Sequence, residues 1–234
     1  MGGAVARPAP DRSAEMDFAP ILLRWRFLAD ALWMTLLITG LSMLFGSLIG
    51  VVVAIGRTYG GRVLNATLSL YVDTMRAVPL LAILVWTYFA FPIAVGWTLS
   101  PVVAAVIGLS VHLGAYMAET IRAGLTSVRQ GQMRAALALG MSRAAAVRTI
   151  ILPQALIRML PPIGSLLVFA IKDSAIASVI AVPELIRQSQ VLAGVTYRSF
   201  EVYTLTMGIY FLLCYPVARG VDALYRRVAY LGAS

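Results

Sequence analysis

Acids, lysine, histidine and cysteine are all scarce in this 234-residue chain: it has ten Asp and Glu residues together, one His, one Cys and, among 19 basic residues, a single Lys. Each shortage excludes a chemistry. The lone Cys214 forms no intrachain disulfide and no thiolate cluster, and the lone His112 builds no histidine cage, so no metal site is expected. The lone Lys172 follows Ile171, so there is no GxxxxGK[ST] loop to cradle a nucleotide, and the chain is not expected to be an ATPase or other enzyme. Ser165 and Ser174 have no histidine base near them in sequence, which removes the usual hydrolase arrangement. Charge of either sign is missing altogether from Ala31 to Gly56, from Ala77 to Ala118 and from Val202 to Ala218.

What fills the chain is apolar. Sixty per cent of residues are hydrophobic and 12% charged, against about a quarter charged in an ordinary soluble domain. A membrane-crossing helix needs about 20 apolar residues, and the pattern predicts an all-α integral membrane fold of five such helices. Helix one runs from about Leu28 to Ile55, with Gly46 and Gly50 at the small-xxx-small spacing that lets backbones approach. Helix two, about Val63 to Phe91, is interrupted by Asp73, Arg76 and a kinking Pro79. Helix three is about Val102 to Thr120. Helix four, Ile163 to Val182, opens after Pro161 and Pro162 and closes at Pro183; at about 1.5 Å per residue it reaches about 30 Å, a hydrocarbon thickness. Helix five is Phe200 to Ala218.

The net charge of +9 comes from arginines set between apolar runs, a topology signal rather than a nucleic-acid surface. Arg57 and Arg62 follow helix one, and Arg122, Arg129, Arg134, Arg143, Arg148 and Arg158 follow helix three, so both connections are expected inside. The turn from Pro92 to Pro101 has no charge and belongs outside, as does 183–199. The amino terminus is then outside and the carboxyl terminus inside, with residues 1–24 a periplasmic leader and 25–230 the membrane domain.

Ionised side chains in a span are costly and are kept where they meet partners, water or cargo. Lys172 and Asp173 lie in helix four, about 100° apart around its axis. Ser165, Phe169 and Lys172 share one stripe; His112, Tyr116 and Glu119 share another in helix three. These stripes, with Arg76, are the candidate wall of a polar path. An interhelical salt bridge, such as Lys172 with Glu119, explains the same charges, Asp73 pairing with Arg76 explains that pair, and packing explains His112.

Residues 121–160 are more than a linker. Arg134 to Val147 reads as a short helix of Ala and Leu broken by Gly140, ahead of the apolar Ile150-Ile151-Leu152-Pro153, and it wants either a protein surface or anionic lipid to dock on. Arg134-Ala135-Ala136, Gly140 and Leu152-Pro153 resemble the EAA loop of bacterial ABC importers. Gly114-Ala115-Tyr116-Met117-Ala118-Glu119, Gly131-Gln132, Leu152-Pro153-Gln154-Ala155, Lys172-Asp173-Ser174 and Arg76-Ala77-Val78-Pro79-Leu80-Leu81 resemble segments of the polar amino acid permeases, the histidine, glutamine and glutamate type. Arg134 departs from the pattern, standing where the family usually has Glu; Ala175 and Ala77-Val78 depart too.

The resemblance implies a multi-pass permease subunit in the bacterial inner membrane, moving amino acids. Its implied partners are ATP-binding subunits, a second permease subunit (itself or a sister), a periplasmic amino-acid-binding protein and the bilayer, without nucleic acid. This chain would carry no cofactor, ATP and Mg being held by the ATPase, and the loop helix would dock there. Two rival classes are an ion-driven secondary transporter, which would show inverted repeats, and a scaffold subunit, which would not need Lys172 and Asp173.

Overall fold

A computed structural model describes residues 17–231, and its regular structure is helical throughout. A short helix α1 (Ala19–Leu22) precedes the long α2 (Trp25–Tyr59). Then come α3 (Arg62–Ala77) and α4 (Leu80–Val95), α5 (Pro101–Ser127), α6 (Gln130–Ala138), α7 (Arg143–Ile180), α8 (Leu185–Thr196) and α9 (Ser199–Leu231). Four of them, α2, α5, α7 and α9, are each long and apolar enough to cross a membrane, and α3 with α4 passes jointly as a bent fifth. Residues 1–16 of the expected leader lie outside the described residues; beyond them, Ile21 is fully buried in a cluster with Leu28, Leu185 and Leu192.

The centre of the bundle is the α2–α5 pair, and its closeness comes from absent side chains. A Cβ on Gly50 would stand 2.6 Å from the Met117 Cβ, and one on Gly46 would stand 3.2 Å from the Leu113 Cβ. Any larger residue at Gly50 would push the helices apart, so the small-residue spacing is a packing device here. Gly164 is pressed in the same way against Val221, joining α7 to α9.

Three features differ from the sequence expectations or add to them. Pro79 does more than kink helix two: Val78 and Pro79 are extended, and the axes of α3 and α4 meet at 105°. Proline disfavours the helical conformation for the residue before it and supplies no N–H, so two consecutive non-helical residues suffice for a corner. Pro161 and Pro162 do not open helix four; they lie inside a helix running from Leu152 to Asp173. Tertiary packing overrides the lost bonds, because Met159 and Ala155 are buried just before the prolines and Gly164 just after them. The stretch 183–199, assigned from the sequence only as an outside connection, holds a partly buried helix.

That helix, α8, is started by Glu184, whose carboxylate accepts from the Ile186 and Arg187 N–H groups at 2.8 and 2.7 Å. The Tyr210 hydroxyl donates to the same carboxylate at 3.3 Å, and the Thr35 hydroxyl accepts from the Leu185 N–H at 3.1 Å. Burial pushes the Glu184 carboxyl above its usual range despite these donors. The network ties α2, α8 and α9 together at one end of the bundle.

Candidate functional site

The corner between α3 and α4 opens a cavity of about 410 Å³, walled by Arg76 to Leu80 of the break, by His112, Leu113 and Tyr116 of α5, and by Leu166, Phe169 and Asp173 of α7. A straight helix two would run past this space, whereas the 105° turn places backbone around it. The Arg76 guanidinium lies over the Tyr116 ring, 5.5 Å from its centroid, and Tyr116 in turn lies beside His112 with ring centroids 5.1 Å apart. This stack fixes a cation at the rim without neutralising it. Arg76 makes no ion pair with Asp73 among the described residues. The Tyr71 hydroxyl donates to the Val111 carbonyl at 2.6 Å and holds α3 onto α5 just before the corner.

Asp173 is half-buried and ends the α-helical part of α7; from Ser174 to Ile180 the chain winds more tightly as a 3-10 helix. Of the candidate path residues, Arg76, Tyr116 and Asp173 line this one cavity. Lys172 and Ser165 do not join them. Both face a groove between α7 and α9 together with Asp222 and Phe169, and a second, wider part of that groove, about 580 Å³, sets Lys172 against Tyr210, Cys214 and Tyr215. A single residue turns the helix by about 100°, which is enough to send Lys172 away from the cavity that Asp173 lines.

Glu119 is in neither space, and among the described residues it does not bridge to Lys172, the alternative that the sequence left open. Its carboxylate is held by Arg57 at 2.8 Å and Arg122 at 2.5 Å. Arg57 also donates from Nε to the Ser69 hydroxyl at 3.1 Å, so one ionic cluster joins α2, α3 and α5. The sequence position of Arg57 signals topology alone, whereas Arg122, three residues after Glu119 on the same helix, is a partner that spacing makes visible.

Beyond the α6 end of this cluster lies the connection from α5 to α7. Helix α6 carries Arg134 and Ala135 on its outer side and buries Ala136. It is closed by Gly140, whose φ of +80° is the left-handed conformation that favours glycine. The Met141 N–H then donates back to the Ala136 carbonyl at 3.1 Å, and the Ser142 hydroxyl accepts from the Ala145 N–H at 3.2 Å to start α7. Arg158 reaches back to the Ser127 carbonyl, and Val128, Ile151, Ala155 and Met159 form a small core under the turn. Leu152 and Pro153 lie exposed on its outer side.

The family model of the binding-protein-dependent transport system inner membrane component matches residues 46–230. The chain is 38% identical over 196 residues to the probable amino-acid ABC transporter permease protein YckA of Bacillus subtilis (strain 168), 84% of this chain and 86% of that one. It is 33% identical over 218 residues to the glutamine transport system permease protein GlnP of Escherichia coli (strain K12), 93% of this chain and 100% of that one. A crystal structure of an amino acid ABC transporter with histidines superposes with a TM-score of 0.86 at 34% identity, covering 91% of this chain and 99% of that one. The bent second span, the glycine-packed α2–α5 pair and the α5–α7 connection thus belong to a binding-protein-dependent transport system inner membrane component: this chain is a multi-pass inner-membrane permease subunit of the ABC importer family, which works with ATP-binding subunits and a binding protein.

Proposed function

We propose that the cargo is an amino acid and that it passes through the cavity at the α3–α4 corner. The observation that carries this is that Arg76, Tyr116 and Asp173 line one cavity: a guanidinium suits an α-carboxylate, a carboxylate suits an α-ammonium, and both border a mostly apolar space where such contacts are strong. The relatives support the reading, since one is named for amino acids and another for glutamine. Lys172 and Ser165 line the outer groove, where a second permease subunit, identical or a sister, would complete the path.

Energy enters through the α5–α7 connection. Its Arg134 and exposed Ala135, the turn at Gly140 and the exposed Leu152 and Pro153 form the surface offered to the ATP-binding subunit, which holds the ATP and Mg. Closure of the ATPase pair would then move α6 and, through its small core with α7, the wall that carries Asp173. No nucleotide or metal is needed in this chain for that role.

Reconstituted complexes test both halves in one uptake assay. Arg76→Gln and Asp173→Asn should assemble to wild-type yield and lose uptake by about tenfold or more, as expected when one charge-assisted contact is removed. Gly140→Val should keep cargo binding and lose the coupling of ATP hydrolysis to uptake, because a Cβ-branched residue resists positive φ. Undiminished uptake in all three would sink the reading. The arginine-bearing connections point inside, which puts the amino terminus outside; a reporter inserted at Val95 that is found on the cytoplasmic side would reverse that orientation.

A further inference from the structure

We infer that the cavity at the α3–α4 corner selects zwitterionic amino acids whose side chains carry no charge, and discriminates against both cationic and anionic ones. The inference rests on the reading of that cavity as the cargo path.

It follows from where the charges of this region point. One basic and one acidic side chain line the cavity, Arg76 and Asp173. The carboxylate and ammonium of an amino acid use both, leaving nothing for a third charge. Three neighbouring charged residues could have supplied one, and each is turned elsewhere. Glu119, one turn along α5 from Tyr116, is held between Arg57 and Arg122 at 2.8 and 2.5 Å. Lys172 adjoins Asp173 in sequence but faces the α7–α9 groove. Asp73, one turn before Arg76, is exposed and not on the cavity wall.

Besides the Tyr116 ring and the His112 imidazole, the lining side chains are apolar, notably Leu80, Leu113, Leu166 and Phe169. A lysine-like or glutamate-like side chain would be desolvated there without a counter-ion, which is far costlier than desolvating an amide, a hydroxyl or a hydrocarbon that finds even partial compensation. Arg76 is already seated on the Tyr116 ring, so the end of the cargo common to all amino acids meets a preorganised partner and the side chain is directed at the apolar wall.

The test is equilibrium competition for labelled glutamine on the purified permease–ATPase complex in nanodiscs, with the binding protein omitted so that its own selectivity does not enter. Unlabelled glutamine should compete at least about tenfold better than arginine or glutamate. Phe169→Glu places a second carboxylate on the wall at a residue that is 60% exposed and has room for it; it should bring arginine to within about threefold of glutamine. Phe169→Gln, which adds no charge, should keep the wild-type order. Arginine or glutamate competing as well as glutamine in the wild type, while Arg76→Gln weakens all binding, would overturn the charge-balance inference and leave the cargo cavity standing. If Arg76→Gln and Phe169→Glu leave all binding unaltered, or if no labelled glutamine binds, the cavity reading itself fails and takes the inference with it.

Discussion

At the α6 end of the bundle Glu119 is gripped by two arginines from two helices, whereas Arg76 and Asp173 face a shared cavity and make no ion pair among the described residues. Both sets lie in helices that cross the membrane, so both bear the cost of leaving water. One recovers it at once, internally, by closing a three-residue cluster; the other keeps it open. A closed cluster holds elements together, and its charges answer to each other. An open pair has affinity to spare for something that arrives.

The contrast is broken most directly by removing its closed side. Glu119→Gln leaves Arg57, with a side chain 11% exposed, and Arg122 without their counter-charge. Because the cluster keeps some contact with water, the loss should be about 2 kcal/mol, below the ~3–5 kcal/mol of a fully buried pair. The expected outcome is a lower yield and melting temperature of the complex, with uptake per assembled complex unchanged. A well-assembled complex with lost uptake would move Glu119 to the open side. A smaller effect sharpens the open side. Tyr116→Leu removes the ring face under Arg76 and should weaken cargo binding by about 0.5–1 kcal/mol, whereas Tyr116→Phe keeps the face and should stay close to wild type. Equal losses in the two variants would show that the hydroxyl rather than the ring matters there.

Much of the frame was legible in the sequence because a long run without charge is seldom anything but a membrane span. The run from Ala31 to Gly56 marked α2, though the helix reaches from Trp25 to Tyr59, since helical hydrogen bonding continues through flanking arginines once the span is fixed. Gly46 and Gly50 announced a close partner but not its identity. Helix α8 was hidden because Arg187, Gln188 and Gln190 dilute its hydropathy. Its signal was local: Glu184 in the capping position, followed by Leu185, Ser189 and Leu192 on one face. The prolines at 161 and 162 misled for the opposite reason, as a local rule was outweighed by contacts with α5 and α9 that no window of sequence displays. In the site, Arg76, Tyr116 and Asp173 stood out as polar groups in apolar runs. Which of Lys172 and Asp173 faces inward depends on the rotation of α7 about its axis, and the close packing of Gly164 against Val221 is one of the contacts that hold it.

The corner at Val78 and Pro79 has an electrical side as well as a geometric one. Cutting one span in two creates a fresh carboxyl-terminal helix end at Ala77 and a fresh amino-terminal end at Leu80, and both residues belong to the cavity wall. Such ends act as partial charges of about −0.5 and +0.5 of an elementary charge. Within a low-dielectric wall the backbone itself then presents a dipolar field to the cavity, oriented by the fold before any side chain contributes, so straightening the corner would erase a field together with a shape.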